Sequence, residues 1–323
     1  MEYNKRISDM TPGDAVEGFY LLKAAASKTS TSGSQYLNAV LSDVSGSIET
    51  KVWNYPGPIG AADEGSVVKI RGTVQAFRGA SQLSVERIRL AQKTDPYELS
   101  AIIPVAPMDA EEMLSSVETM VASLRDDDYR AICTEMLARH LEAFRSIPAA
   151  KSVHHSFLKG LLMHTGNMMK IADHLAELYA DAVDRDLLLA GTLLHDFAKE
   201  EEFTFSELGL VTEYSTKGKL LGHLAMGAQE IAEIAKQLHV PEEKSVLLQH
   251  MILSHHGEPE FGAVVRPQCA ESELLSLIDL IDSRMEIYRE ALASVPEGKF
   301  SQRIFALDKT IYHHGGGDSH AVL

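Results

Sequence analysis

The hydrophobic period of this chain changes near Thr94-Asp95-Pro96, and this change constrains the fold more than any other feature of the sequence. Before it, short segments of β-type composition are separated by Gly, Ser and Pro. After it, apolar residues recur at helical spacing almost to the C-terminus. With 323 residues, 45% of them hydrophobic, the chain has enough apolar material for more than one core. The pattern therefore predicts a small all-β domain followed by an all-α domain.

Five segments of the first part are predicted to be strands: GFYLLKAAA, QYLNAVLSDVSG, SIETKVWNY, SVVKIRGTVQAFRG and SQLSVERIRL. The run DVSG at 43–46 and the pair Arg78-Gly79 supply turn chemistry, and Gly72 lies mid-strand, where a barrel commonly bends. Five short antiparallel strands in this order predict an OB-fold barrel over residues 1–93. The exposed face of such a barrel often binds single-stranded nucleic acid or sugars.

The helical part is predicted to have three sections. Residues 94–150 are expected to form a connector, with helices that begin at Asp109 and Asp126. Residues 151–311 are expected to form an all-α domain, because nearly every segment there has helical periodicity. The tail at 312–323, YHHGGGDSHAVL, is rich in glycine and lacks apolar periodicity, so we predict that it is disordered.

Charge and cysteine content restrict the class of protein. A net charge of −16 argues against a protein that binds nucleic acid through basic residues spread over its whole surface. Residues 1–95 nevertheless carry 11 Lys and Arg against 10 Asp and Glu, whereas the rest carries 19 against 36, so we expect any nucleic-acid grip in the N-terminal part. Cys133 and Cys269 stand alone, which indicates neither a disulfide framework nor a zinc knuckle. Without an apolar leader or a run of about 18 apolar residues, we expect a soluble cytoplasmic protein that does not enter a membrane.

Histidine and aspartate recur in the helical part at positions that are otherwise apolar or small. A buried imidazole or carboxylate requires a partner, and five segments that carry such groups suggest one common partner, a metal ion. Mixed nitrogen and oxygen ligands without a nearby thiolate suit Mn²⁺, Fe, Co or Ni and disfavour structural zinc. The residues are His164, the pair His195-Asp196, His223, the pair His255-His256, and Asp279 followed by Asp282.

The pair His195-Asp196 is the most specific element of this set. Adjacent residues near a helix end can direct two ligands toward one ion, or the aspartate can bridge two ions. Lys199 follows one turn later, and we expect its ammonium to meet the charge that develops on a phosphate. A surface lysine at a helix C-terminus is the structural alternative.

The order of these residues resembles the H…HD…H…H…D signature of the HD phosphohydrolase superfamily. The match is carried by His164, LLHDFAK at 193–199, His223, LSHHG at 253–257 and Asp279. Together with HHSFLKGLLMHT at 154–165 and the preceding strands, the chain resembles the bacterial OB-plus-HD 3′→5′ exoribonucleases of the YhaM type from about Gly18 to Tyr288.

The resemblance implies a metal centre with two divalent ions, for which Mn²⁺ is favoured. By this resemblance, the core ligands are His164, His195, Asp196 and Asp279, and the ligands that complete a second site are His223 and His255.

Two positions depart from the signature. Ala198 replaces the glycine expected in HDFAK, and Met163 replaces the glutamate expected before His164. Neither change removes a metal ligand. Alanine is tolerated at 198 unless the backbone there requires a positive φ, so we expect these departures to affect substrate fit more than metal binding.

Aromatic and basic residues interleave in the N-terminal part, as on surfaces that bind single strands. The stacking candidates are Phe19, Tyr36, Trp53, Tyr55 and Phe77, and the candidates for phosphate contacts are Lys51, Arg71, Arg78 and Arg87. Most aromatic residues in so small a barrel belong to its core, so we expect about two of the five to face a ligand. Trp53 is the first choice, with a core role as its alternative. We assign substrate binding to Trp53, Lys51, Arg71, Phe77 and Arg78, and to His256 beside the metals.

These features predict a metal-dependent phosphodiesterase that shortens single-stranded RNA or DNA, with Asp196 and Lys199 as catalytic residues. The 3′→5′ direction, the preference for RNA and the removal of one nucleotide at a time are implied by the resemblance alone. Two alternatives remain, because a fold does not fix a function. One is a phosphohydrolase of free or cyclic nucleotides with a regulatory barrel. The other is a non-catalytic nucleic-acid-binding protein that keeps a structural metal centre.

Overall fold

The computed structural model describes residues 2–30, 33–77, 80–92, 94–150, 157–206, 208–293 and 295–315. The chain divides into two compact units. The first comprises Met1–Val105 and Phe205–Thr212, and the second comprises Ala106–Thr204 and Glu213–Leu323.

The first unit contains a closed β-barrel. Its strands are β1 (Glu2–Tyr3), β2 (Ala15–Thr29), β3 (Gln35–Asp43), β4 (Gly46–Val52), β5 (Val67–Phe77) and β6 (Ala80–Leu90), followed by the short helix α1 (Leu99–Ile102). The sheet order is β1-β2-β3-β4-β6-β5, and β2 also pairs with β5, which closes the barrel. The β4–β6 and β1–β2 pairs are parallel and the others are antiparallel. This is the predicted OB-fold, with the two-residue strand β1 as an addition.

Alternation along the strands gives the barrel an inner and an outer face. Along β5, Val68, Ile70 and Val74 are buried in the core, whereas Arg71 is exposed. At Gly72 a Cβ atom would lie 2.4 Å from the carbonyl oxygen of Ser84, and the register with β6 shifts at this point. Gly72 therefore marks the predicted bend, because only a residue without a side chain permits this approach.

The second unit is mainly helical. Its helices are α2 (Ala110–Ala122), α3 (Asp127–Phe144), α4 (Gly160–Leu178), α5 (Arg185–Leu194), α6 (Lys199–Glu202), α7 (Thr216–Gln237), α8 (Glu242–Ser254) and α9 (Ala270–Ala293). The predicted starts of α2 and α3 are confirmed, since the side chains of Asp109 and Asp126 accept hydrogen bonds from backbone N–H groups of the first turn. Among the described residues, no helix combines the length and apolar character needed to cross a membrane.

Two small hairpins interrupt the helical pattern. Strand β7 (Phe203–Phe205) pairs with β8 (Val211–Tyr214), and β9 (Lys299–Phe300) pairs with β10 (Tyr312–His313). These strands are an addition to the predicted helical domain, because strands of two to four residues are too short to show an alternating pattern. Tyr312 and His313 belong to the tail that we predicted to be disordered, and residues 316–323 lie outside the described ranges.

Helices α2 and α3 pack inside the second unit. Val117 of α2 and Ile132 of α3 are buried, and a Cβ on Gly166 of α4 would lie 2.5 Å from the sulfur of Met113. These contacts leave little reason for a separate connector over residues 94–150. We propose that the helical domain begins near Ala106 rather than at residue 151.

His140 joins three helices near the end of α5. Its Nδ1 lies 2.7 Å from Glu200 Oε2 on α6, and its Nε2 lies 3.0 Å from Glu230 Oε2 on α7. The ring is buried and packs against Phe197, with ring centroids 5.6 Å apart. Burial alone would lower the pKa of His140, but the two carboxylates raise it to about 9. His140 is therefore an imidazolium at neutral pH and donates to both partners.

We expect His140→Gln to lower the free energy of unfolding at pH 7 by roughly 1 to 3 kcal/mol, because two carboxylates lose a charged donor. The folded pKa of about 9 lies above the unfolded value of about 6.5, so this stabilisation is complete below pH 6.5 and is lost as the pH rises through 9. Urea unfolding between pH 6 and pH 10 measures the difference.

The control is His174→Gln, which changes an exposed histidine on α4. If the difference in the free energy of unfolding between wild type and His140→Gln stayed constant across this pH range, the proposed charge on His140 would be wrong.

Candidate metal centre

Five helical segments bring the predicted ligands together. His164 lies within α4, His223 within α7 and Asp279 within α9. The pairs His195-Asp196 and His255-His256 follow the last residues of α5 and α8. The side chains of His164, His195, Asp196, His223 and His255 are all buried. Such a concentration of buried imidazole and carboxylate groups requires internal partners.

Two of the histidines are oriented by the ends of their own helices. His195 Nδ1 lies 2.8 Å from the carbonyl oxygen of Thr192, and His255 Nδ1 lies 2.8 Å from that of Ile252. Each ring therefore donates Nδ1–H to a free carbonyl in the last helical turn. This bond fixes the tautomer that leaves a lone pair on Nε2, the atom that would bind a metal.

Two other histidines are oriented by carboxylates. His164 Nδ1 lies 2.7 Å from Asp282 Oδ2. Glu202 Oε1 lies 2.9 Å from His223 Nδ1 and accepts the backbone N–H of His223 at 3.1 Å. The second bond is available because Gly222 interrupts α7 with a φ of 74°, a conformation that strains other residues.

One set of donor atoms gathers around His164. His164 Nε2 lies 3.3 Å from His195 Nε2 and 3.3 Å from Asp279 Oδ1. His195 Nε2 lies 3.1 Å from Asp196 Oδ2. Ligand atoms of His164, His195 and Asp196 lie within 4.8 Å of one another. The structure thus brings together His164, His195, Asp196 and Asp279, the four core ligands that the family resemblance implies.

A second set gathers around His223. His223 Nε2 and His255 Nε2 lie 3.4 Å and 3.8 Å from Asp196 Oδ1. Ligand atoms of His223, His255 and His256 lie within 4.8 Å of one another. Asp196 thus faces the first set with Oδ2 and the second set with Oδ1. His256, which the sequence assigns to substrate binding, lies among these ligands.

Unsatisfied polar atoms provide a test of whether the residues fit a metal. Asp196 Oδ1, His223 Nε2 and His256 Nδ1 are buried and have no hydrogen-bond partner among the described residues. Buried polar atoms in this state are costly unless a ligand satisfies them. A divalent cation fits these donors, because the set combines imidazole nitrogen with carboxylate oxygen.

The field of the cluster also fits a cation. Although burial raises the pKa of Asp279, His164 holds it well below its usual range. Burial likewise raises the pKa of Asp196, but His195 and Lys199 hold it well below its ordinary value. Both carboxylates are therefore ionised. Burial lowers the pKa of His255 well below its usual range, so its imidazole is neutral and suited to coordination.

Lys199 lies against the shared carboxylate. Its Nζ is 2.6 Å from Asp196 Oδ2. Burial opposes the charge of Lys199, but the Asp196 carboxylate raises the pKa of the ammonium above its ordinary value. The lysine is charged and points into the cluster, so it is not the surface residue of the alternative interpretation.

The two departures from the HD signature leave the ligand set in place. Ala198 has a φ of −67°, so its position does not require glycine and alanine is tolerated, as expected. Met163 is buried and packs with Ala106 and Phe157. Its side chain fills core space next to the ligand His164 on the same helix.

The second set of ligands lines a cavity of about 780 Å³ whose lining residues all belong to the second unit. Besides the ligands Asp196, His223, His255 and His256, the lining includes Lys199 and Asp279. This volume lies within the range of small-molecule binding sites and exceeds the space that a metal ion needs. The cavity therefore has room for a substrate beside the ions.

The barrel carries the predicted aromatic and basic residues in different environments. Trp53 is 49% exposed, and its ring lies 4.9 Å from that of Tyr36. Lys51 Nζ lies 5.2 Å from both of these ring centroids and 5.8 Å from that of Phe77, which is also exposed. We call Tyr36, Lys51, Trp53 and Phe77 the aromatic patch.

The other barrel candidates lie elsewhere. Phe19 is buried and stacks on Tyr97 at 5.0 Å, and Tyr55 packs against the barrel core. Arg71 is exposed and lies 4.0 Å from Glu86. Arg78 lies outside the described residues. Of the five aromatic candidates, Trp53 and Phe77 are the exposed ones.

Glu202 is a site residue that sequence reasoning missed. It ends the run KEEE after the HD motif, and such a run is usually a solvated helix face. Its neighbours Glu200 and Glu201 make other contacts, so composition alone does not distinguish it. The helical spacing of Glu202 from Lys199 is the available signal, since residues three apart are neighbours on a helix surface.

Comparison with known proteins gives matches to both units. Residues 161–284 match the model of the HD domain, and residues 22–91 match that of an OB-fold nucleic acid binding domain. The second OB-fold domain of replication protein A from Methanococcus maripaludis aligns with 30% of this chain and 100% of that domain, at 20% identity and a TM-score of 0.24.

Curated relatives match over nearly the full chain. The 3′-5′ exoribonuclease YhaM of Shouchella clausii is 36% identical over 306 residues, which cover 93% of each chain. The protein of the same name from Listeria monocytogenes is 33% identical over 315 residues, 96% of this chain and 98% of that one. The protein from Oceanobacillus iheyensis is 34% identical over 313 residues, 95% of this chain and 96% of that one. With its OB-fold, its HD domain and this extent of similarity, the chain belongs to the YhaM exoribonuclease family.

Proposed function

We propose that this protein removes nucleotides from the 3′ end of single-stranded RNA, using two divalent metal ions, and releases nucleoside monophosphates. The observation that carries the proposal is the position of Asp196, whose two carboxylate oxygens face two separate sets of histidine nitrogens. The polarity and the RNA substrate rest on the names of the relatives. The ligand chemistry favours Mn²⁺, with Fe, Co and Ni as alternatives.

The first metal would be held by His164, His195, Asp196 and Asp279. The second would be held by Asp196, His223, His255 and, in place of its predicted substrate role, His256. Bound divalent ions lower the pKa of a coordinated water and stabilise charge on a phosphodiester in two-metal hydrolases.

The protein's own residues supply orientation and charge. The outer hydrogen bonds of the histidines hold each Nε2 in place, so little reorganisation is needed when a substrate binds. Lys199 brings a permanent positive charge beside Asp196, where the negative charge of a phosphate in the cavity would be stabilised.

The aromatic patch supports a strand-binding role for the barrel. Exposed Trp53 and Phe77 offer flat faces to bases, and Lys51 offers a charge to a phosphate. A phosphohydrolase of free nucleotides has no need of such a surface, so the patch favours a polymeric substrate over the first alternative. The orphaned ligand atoms and the cavity beside them disfavour a purely structural metal centre.

A labelled oligonucleotide separates these functions. The purified protein is incubated with Mn²⁺ or with a chelator and with RNA or DNA of one sequence, labelled at either end. We expect Mn²⁺-dependent shortening of RNA from the 3′ end. Hydrolysis of free or cyclic nucleotides alone would support the first alternative, and binding without cleavage would support the second.

We expect Asp196→Asn to abolish hydrolysis and to lower the metal content. The amide keeps the shape of the side chain, so circular dichroism should change little, but it loses the charge that both sets of histidines face. The same preparation is analysed for metal and for turnover. Wild-type turnover in Asp196→Asn would refute the proposed site.

We expect alanine at His223, His255 or His256 to reduce the bound metal from about two ions per chain to about one, because each residue contributes to the second set. Elemental analysis after gel filtration measures the occupancy. The control is His174→Ala, which removes an exposed histidine from α4. Unchanged occupancy in all three variants would remove the second ion from the proposal.

We expect Trp53→Ala to weaken binding of a long single strand about tenfold or more, because one stacked base is lost. Lys51→Ala should flatten the dependence of log affinity on log salt by about 0.7, as expected for one lost phosphate contact on a single strand. Phe305→Ala, which removes an aromatic side chain that is almost fully exposed, is the control. If neither change altered binding, the regulatory interpretation of the barrel would be the better one.

A further inference from the structure

Beyond the ligands, the cavity has a wall of aromatic residues. We call Phe203, Tyr214 and Phe261 the aromatic wall, since all three line the cavity that contains Asp196 and the histidines. Tyr214 is 43% exposed and Phe261 is 77% exposed. Exposed aromatic rings in this cavity take no part in metal binding, and they offer flat surfaces to a substrate.

Tyr214 is tied to the second set of ligands. Its ring packs edge-on against that of Phe203, with centroids 5.1 Å apart. Phe203 directly follows Glu202, whose carboxylate orients His223. The residue after Tyr214, Ser215, donates its N–H to the carbonyl oxygen of Glu202 at 2.8 Å. The Tyr214 ring is therefore anchored beside the residue that holds a metal ligand.

Phe261 lies next to the second set of ligands, in the chain segment that passes His256. It precedes Gly262, which has a φ of 106°. A Cβ on Gly262 would lie 3.2 Å from His256 Nδ1, so the backbone here passes close to that imidazole. One aromatic residue thus lies beside Glu202, which orients His223, and another is next to the backbone that passes His256.

The charged residues of the lining indicate which part of the cavity favours a phosphate and which part favours an uncharged base. Among the lining residues that the structure describes, Lys199 is the one lysine or arginine, and it lies against Asp196. Glu258 and Glu273 also line the cavity and would repel a phosphate. A phosphate is therefore favoured at the metal ligands and Lys199, and the uncharged base of the same nucleotide is left to meet the aromatic residues.

We propose that the aromatic wall is a subsite for the nucleobase of the terminal nucleotide, which stacks on Tyr214 while its phosphate lies at the metal centre. This inference rests on the proposed hydrolysis of nucleic acid and names the part of the substrate that the cavity holds. Phe203 supports the Tyr214 ring from its edge, and Phe261 provides further aromatic surface. Every base has a π-face, so such a subsite accepts all four bases.

Steady-state kinetics on a short RNA of about four nucleotides test the proposal in the full-length protein. We expect Tyr214→Ala to raise KM about tenfold with kcat nearly unchanged, and Tyr214→Phe to restore KM, because stacking needs the ring and not the hydroxyl. The matched control is Tyr312→Ala. Tyr312 is 49% exposed and packs on Phe300 at 5.0 Å, but it does not line the cavity.

A chemical counterpart removes the base instead of the ring. An RNA with an abasic terminal nucleotide should raise KM about tenfold for the wild type, and it should add little to the effect of Tyr214→Ala. If the abasic RNA raised KM by the same factor for Tyr214→Ala as for the wild type, the terminal base would not contact Tyr214 and the proposal would be wrong.

Binding without turnover distinguishes failure of this subsite from failure of the proposed reaction. A short RNA carries a fluorescent purine analogue at its terminal position and a non-hydrolysable terminal linkage, and quenching by stacking is measured with divalent metal present. We expect quenching by the wild type and by Tyr312→Ala, and at least a fivefold smaller signal with Tyr214→Ala. Equal quenching by the wild type and Tyr214→Ala would overturn the subsite even if hydrolysis were demonstrated. Absence of hydrolysis with intact Tyr214-dependent quenching would reject the reaction and keep the subsite.

Discussion

The arrangement of the helical unit depends on the buried carboxylate of Asp196. An ionised carboxylate that leaves water costs several kcal/mol unless charges and polar groups surround it. Here Lys199 supplies a positive charge 2.6 Å from Asp196 Oδ2, and the Nε2 atoms of His195, His223 and His255 converge on the carboxylate, where a cation would satisfy both. Helices distant in sequence therefore meet at this carboxylate, two of them at their C-terminal ends.

The four histidines whose Nε2 atoms face this carboxylate are also hydrogen-bonded through Nδ1, on the side of the ring away from Asp196. Helix-end carbonyls accept Nδ1–H from His195 and His255, and the carboxylates of Asp282 and Glu202 serve the other two rings. These outer bonds cost little because the carbonyls at a helix end have no helical partner. The result is a set of Nε2 atoms that is oriented before any ligand arrives, which is the condition for electrostatic catalysis.

The surface of the barrel combines exposed aromatic rings with basic side chains. A chain of net charge −16 binds a polyanion only where it concentrates opposite charge or replaces charge by stacking. The aromatic patch combines both, since Lys51 lies over the rings of Tyr36 and Trp53. Many of the other basic residues on the barrel are paired, as Lys69 is with Glu17 and Arg89 with Asp95. Stacking on exposed rings therefore suits this surface better than charge neutralisation alone.

The sequence by itself determined the order of barrel and helices, the starts of α2 and α3, and which histidines and aspartates occupy otherwise apolar or small-residue positions of the helical part. Those features depend on local periodicity, capping chemistry and residue type, which are read within a few positions of the chain. Tertiary structure alone decided that Asp196 stands between two sets of ligands, that His256 belongs with the second, and that Glu202 orients His223. It also decided which aromatic residues are exposed, Trp53 among them. These outcomes depend on contacts between distant segments, where a change of one turn or one register position moves a side chain from core to surface, and local patterns carry no record of that choice.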